Sequence, residues 1–189
     1  VLYPIRASKL QNEKYIAAAK ADLFAKQGRT LSVAKYRKLA TDAYDTIRRD
    51  LSYYNNTLAG GKWQKIIDPY NKQLPVIEGL PALAEAPAPS EIALAVVAEG
   101  QTTGIEPVTL AFSVYGEDRR FIDVFSKGNS GVSWTATTSQ PWIGLSKSSG
   151  TGVDEERISV GIDWASVPLG ESTGSITVTD GSSSQSVPV

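Results

Sequence analysis

Between Ser32 and Trp63 the apolar positions Val33, Tyr36, Ala40, Ala43, Tyr44, Ile47, Leu51, Tyr54 and Leu58 return at steps of three and four. That spacing puts them on one stripe of a 3.6-residue helix, with Lys35, Arg37, Lys38, Asp42, Asp45, Arg48, Arg49 and Asp50 mostly on the opposite face. Ser32 is placed to cap the first turn, and Gly60-Gly61 to end the helix by taking the left-handed conformation. Upstream, Val1 to Lys9 reads as a lead-in, and Asn12 as the cap of a first helix running to Gln27. Tyr15, Ile16, Ala19 and Leu23 are expected to face inward there, with Gly28 just past the helix end. The short loop Gly28-Arg29-Thr30 makes the two helices antiparallel neighbours, and Ala17, Ala18, Ala19 and Ala21 permit close approach. Two helices cannot bury both stripes alone, so the pattern predicts a helical hairpin or partial bundle completed by further structure.

From Pro75 to Ser90 the composition turns to Pro, Ala and Leu, which reads as a semi-extended linker between a helical domain at 1–74 and a second domain at 91–189. Past Glu91 the period becomes two. Ile92, Leu94, Val96 and Ala98 share one strand face, and so do Ile122 with Val124, Val132 with Trp134, Ile158 with Val160, Ile162 and Trp164, and Ile176 with Val178. Gly/Ser/Asp turns separate these runs, among them Lys127-Gly128-Asn129 and Asp180-Gly181. Seven or eight short strands at this spacing predict an antiparallel β-sandwich of immunoglobulin-like class. The expected fold is therefore α+β in two domains, helices first.

Composition narrows the chemistry. The chain of 189 residues contains no Cys and no His, which removes thiol nucleophiles, thiolate ligands, and the commonest general base and metal ligand. No catalytic residue, metal site or cofactor is assigned. The net charge of −1 hides a split: residues 1–80 hold 14 Lys and Arg against 7 Asp and Glu, and residues 81–189 hold 5 against 13. The basic residues of the first part are scattered among acids rather than gathered in a patch, which argues against nucleic acid as a partner. No run of 18 apolar residues is present, so no membrane-spanning helix is expected. The sequence starts at Val and contains no Met, and it reads as a processed chain or part of a longer one.

A few residues invite chemistry. Lys62-Trp63, directly after the glycine pair, offers a charged donor and an aromatic platform to a uronate sugar or a neighbouring domain, or else Trp63 covers the helix end. Trp142 is a candidate sugar-stacking aromatic, although Trp134, Ile143 and Leu145 nearby suit core filling equally well. Asn55-Asn56-Thr57 is a glycosylation sequon at Asn55, compatible with a secreted chain. Asp154-Glu155-Glu156 lacks the spacing of a calcium loop and reads as a solvated turn.

Six strings along the chain carry a resemblance. VLYPIRAS (Val1 to Ser8), FAKQGRT (Phe24 to Thr30), LAGGKW (Leu58 to Trp63), FIDVFSKG (Phe121 to Gly128), PWIGLSKSSG (Pro141 to Gly150) and ERISVGIDWASVP (Glu156 to Pro168) occur in the order found in glycoside hydrolase family 115. The chain thus resembles the C-terminal region of a xylan α-1,2-glucuronidase, and its distal part also resembles the BACON-type β-sandwich. The resemblance implies that the catalytic (β/α) barrel lies upstream and outside this chain. It also implies that the whole enzyme removes glucuronic acid or its 4-O-methyl ether from xylan with inversion, which needs two carboxyl groups roughly 6.5–9.5 Å apart. Neither carboxylate maps onto this chain. The expected role is an accessory, non-catalytic portion of a secreted enzyme, partnered by that upstream domain, by glucuronoxylan, and by a second copy in a homodimer. The alternative is a free-standing carbohydrate-binding or adhesion module.

Overall fold

Helix α1 spans Leu2–Gln27, so the segment expected as a lead-in is helical and Asn12 is an interior residue rather than a cap. Pro4 is tolerated because it falls in the first turn, where the backbone N–H groups have no intrahelical acceptor in any case. The Asn12 amide instead donates to the Ser8 carbonyl at 3.0 Å. At the other end Gly28 takes φ +78°, its N–H bonds to the Ala25 carbonyl at 3.1 Å, and the Arg29 N–H bonds to the Phe24 carbonyl at 2.9 Å. These two bonds are the Schellman motif, which satisfies the last carbonyls of the helix and reverses the chain. Helix α2 therefore starts at once, spanning Thr30–Asn56, without needing Ser32 as a cap. A 3-10 turn at Leu58–Gly61 follows, in which Ala59, Gly60 and Gly61 all have positive φ, so regular helix stops before the glycine pair.

The structure is a computed structural model and describes residues 2–66, 79–91, 93–103, 109–116, 119–151 and 156–189. The chain forms two compact units, one of Val1–Asp22 with Val33–Glu85 and one of Leu23–Ser32 with Ala86–Val189. No helix of the described residues is long and apolar enough to cross a membrane.

In the first unit the helices run antiparallel. Tyr3 stacks on Tyr54 with centroids 5.1 Å apart, Arg6 pairs with Asp50 at 3.0 Å, and Lys20 donates to the Tyr36 hydroxyl at 3.2 Å. The stripe expected on α2 faces inward, with Val33, Ala40 and Ala43 buried. On α1 the buried face is Lys14, Ala17, Ala18 and Ala21, while Ile16, expected inside, is 58% exposed, and Ala19, also expected inside, is exposed too. Ala17, Ala18 and Ala40 form the centre of a small core joined by Tyr36 and Leu83. Small side chains bring the helices together there, and the larger Ile16 is left at the flank.

The second unit holds two antiparallel sheets of four strands. One has the order β1-β2-β6-β4, built from β1 (Leu94–Ala98), β2 (Arg119–Ser126), β4 (Ile143–Leu145) and β6 (Glu156–Ile162). The other has the order β5-β3-β7-β8, built from β3 (Trp134–Thr138), β5 (Ser149–Gly150), β7 (Ser175–Thr179) and β8 (Ser184–Pro188). Leu94, Ile122, Val124, Ile158 and Val160 of the first sheet share one core with Trp134, Ala136, Ile176 and Val178 of the second. The alternation of period two thus selects which residues enter that core. Ile92, the turn at Glu117-Asp118 and the acidic pair Asp154-Glu155 lie outside the described residues, as do residues 67–78, the end of the expected helical domain with the start of the expected linker. Residues 79–90 run without regular secondary structure.

Lys14 is the unusual member of the helical core. It is buried, its Nζ donates to the Gly79 carbonyl at 2.8 Å, and it lies 4.7 Å from the Tyr15 ring centroid and 5.9 Å from that of Tyr44. Burial pushes the ammonium below the ordinary lysine pKa of 10.5. Between the lowered folded-state value and 10.5 the unfolded chain binds more protons than the folded one, so stability rises with pH across that window. Thermal unfolding followed by circular dichroism should show the midpoint climbing as pH approaches 10.5 from below, and Lys14→Met should flatten that climb. Identical slopes in the two proteins would rule out this account.

Candidate functional site

Asp123 sits in the middle of FIDVF on β2, an acid where the strand is otherwise apolar. Its partners in register are Val97 on β1 and Arg157 on β6, which puts the three on the face of the sheet turned away from the common core. The carboxylate is buried and shared. Arg157 reaches it with Nε on Oδ1 at 2.9 Å and Nη2 on Oδ2 at 3.2 Å, while Arg29 Nη2 reaches Oδ2 at 3.2 Å. Arg29 comes from the helix–helix turn, which belongs to this unit, and is only 1% exposed. Its guanidinium carbon lies 4.6 Å from the Phe24 ring centroid and 4.3 Å from that of Phe125, so an aromatic flanks it from each element. Arg157 in turn lies 3.6 Å from the Phe121 centroid.

The backbone of the turn is fastened as well. The Thr30 hydroxyl is 3.4 Å from both the Pro87 and Lys127 carbonyls, and the Gln27 amide donates to the Gln101 carbonyl at 3.1 Å. A Cβ at Gly28 would stand 3.3 Å from the Lys127 methylenes, a tight contact that the flexible lysine can relieve, so it is the positive φ that calls for glycine there. Phe125 with Ala95 and Val97 forms a second buried cluster, distinct from the main core. β1 and β2 are therefore buried on both faces at this end of the sheet.

At its other end the same face is bare. Arg119, Gly161 and Gly144 are aligned across β2, β6 and β4, and two of those three positions carry no side chain. The gap forms a cleft of about 450 Å³ lined by Arg119, Pro141, Gly144, Gly161, Asp163 and Trp164. A hollow of about 260 Å³ shares Arg119 and both glycines and adds Ser146 and Ser159. Trp164 also lines a further cleft of about 260 Å³ with Phe112, Glu171 and Thr173. Its Nε1–H has no hydrogen-bond partner among the described residues.

The residues singled out in the sequence fall in different places. Trp142 is 6% exposed and belongs to the main core, with its backbone carbonyl accepting the Asp163 N–H at 2.9 Å. Lys62 and Trp63 belong to the helical unit, where the Lys62 ammonium lies 5.0 Å from the Trp63 ring centroid and Trp63 is 38% exposed. Asn55 is buried in the last turn of α2, its Oδ1 accepting the Lys65 N–H at 3.1 Å, so a glycan on its Nδ2 requires the side chain to leave that position. Arg29, Asp123, Arg119 and the two glycines were not singled out. The signal for the first pair was present, since an acid between Ile122 and Val124 in a strand demands a buried partner.

Among the described residues no group of three or more acidic, His or Cys side chains could hold a metal ion. No family model matches the chain. No curated protein matches it. Among solved structures it is similar to a FixG-related protein from Vibrio parahaemolyticus, at 16% identity and a TM-score of 0.34, over 53% of this chain and 94% of that one. That likeness is too distant to bear on fold or function.

The shared carboxylate predicts an order of costs. Removing it in Asp123→Ala strands the buried Arg29 charge and should cost about 3–5 kcal/mol. Arg29→Leu leaves Asp123 paired with Arg157 and should cost less, and Arg157→Ala, whose side chain is 59% exposed, should cost least, about 1 kcal/mol or below. Urea unfolding of the three variants checks the order; a loss in Arg157→Ala equal to that in Asp123→Ala would contradict it.

Proposed function

We propose that this chain is an accessory, non-catalytic portion of a secreted xylan α-1,2-(4-O-methyl)glucuronidase, with an immunoglobulin-like sandwich formed by its two sheets. One observation carries the reading. Three of the strings that resemble family 115 converge on Asp123: FAKQGRT supplies Phe24, Gly28, Arg29 and Thr30, FIDVFSKG supplies Phe121, Asp123, Phe125 and Lys127, and ERISVGIDWASVP supplies Arg157. Strings that are far apart in sequence and close in space make one fastening. A buried ion pair packed between aromatics holds a fixed geometry and offers no open coordination or proton-transfer site, which suits support rather than turnover. The work of such a part is to hold a catalytic neighbour and its substrate cleft in register, with glucuronoxylan as the substrate of the whole enzyme.

Two measurements test this. Incubated alone with glucuronoxylan, the 189-residue chain should release no uronic acid, whereas a polypeptide extended upstream through a barrel should release it, and Asp123→Ala in that longer protein should lower its thermal midpoint and its activity together. Uronic acid released by the short chain alone would overturn the proposal, as would an intact mass of the native polypeptide close to 20.2 kDa.

A further inference from the structure

The bare end of the β2-β6-β4 face has the makings of a ligand site that the Asp123 fastening does not use. Its floor is backbone: Gly161 and Gly144 stand opposite each other in the ladder, so the sheet is exposed at two neighbouring positions where other residues would project. One wall is Arg119 on β2, in register with Gly161, and another is Trp164 just past the end of β6. Arg119 is exposed and has no carboxylate partner among the described residues, whereas Arg120 faces Glu99 at 3.7 Å and Arg157 holds Asp123. Asp163 also lines the cleft, but its oxygens are engaged in its own turn, Oδ1 accepting the Ala165 N–H at 3.3 Å and Oδ2 the Ser166 hydroxyl at 2.7 Å. Beside the glycines, the Ser146 Oγ accepts the Ser159 N–H at 2.9 Å, which leaves its hydroxyl proton to donate outward.

We infer that this shelf binds an acidic oligosaccharide, with a pyranose ring lying over the glycine floor against Trp164 and its carboxylate received by Arg119. The chemistry selects that occupant. A sugar ring pairs an apolar C–H face, which an indole covers, with hydroxyls that need donors and acceptors close by. A uronate adds a planar carboxylate that a guanidinium matches with two parallel bonds. The cleft of about 450 Å³ falls within the range of small-ligand sites. An added peptide strand does not fit, because the backbone groups of Gly144 and Gly161 are already paired within the sheet. The inference stands on this face alone and does not require a catalytic neighbour.

Calorimetric titration of the full 189-residue chain with trigalacturonate, and with xylotriose as a neutral control, tests it. Saturable binding of the acidic trimer is expected, at least tenfold tighter than the neutral one. Arg119→Gln and Trp164→Ala should each weaken it at least tenfold. Gly144→Val separates binding from folding, because a Cβ there meets only the Gly161 carbonyl, at an ordinary 3.7 Å, and a β-branched side chain suits a strand. That variant should keep its thermal midpoint and lose the trimer. Equal affinity for the two trimers, no saturable binding of the acidic one, or undiminished binding by Gly144→Val would each overturn the inference. Should Trp164→Ala fail to fold, Arg119→Gln and Gly144→Val decide the matter between them.

Discussion

One carboxylate answering two guanidinium groups is the constraint on which the sheet-bearing unit depends. Asp123 is withdrawn from water, and a buried charge is tolerated only when its partners and hydrogen bonds are complete. Arg157 completes one side from within the sheet, and Arg29 completes the other from a helix–helix turn. The turn can deliver Arg29 because Gly28 adopts a left-handed conformation that the Schellman bonds require and that keeps the Lys127 side chain at contact distance. A local backbone preference thus becomes a long-range contact between residues 29 and 123. Phe24 and Phe125 close around the guanidinium, replacing water with aromatic faces that still attract a cation.

How far the sequence revealed this depends on what carried the period. On α2 the buried positions of the stripe are Val33, Ala40 and Ala43, and the half-buried Tyr36, Tyr44, Ile47, Leu51 and Tyr54 continue the same helical spacing, so the stripe is readable without structure. On α1 the buried face consists of alanines and Lys14, residues that no hydropathy pattern marks as a face, so from the sequence Ile16 reads as inward although it lies at the flank. The strands were legible because alternation survives wherever one face meets a core, as with Ile158 and Val160. β1 was less transparent, for Leu94 and Ala98 meet the main core while Ala95 and Val97 are buried on the opposite side, so no polar residue marks its outer face.

Among functional candidates, the rule that looks for prominent side chains marks Lys62 and Trp63, directly after a glycine pair, and Trp142 as a sugar-stacking aromatic. Trp142 is a core residue, in keeping with its neighbours Trp134 and Ile143. The rule could not find a shelf defined by missing side chains. Gly144 and Gly161 are 17 positions apart and become opposite one another only through the β4–β6 register, which sequence periodicity does not specify. The outer face of the first sheet thus has two characters, sealed around Asp123 and open around Gly161, with Phe121 and Ser159 in the row between them.

The lengths of the outermost strands carry one more consequence. β4 and β5 contribute three and two residues, β1 and β8 five each, and β8 closes on Pro188, which has no N–H to offer. Rows of unpaired amides this brief give a foreign strand little to zip onto. Many copies at high concentration would accordingly stay separate rather than fuse into fibrils.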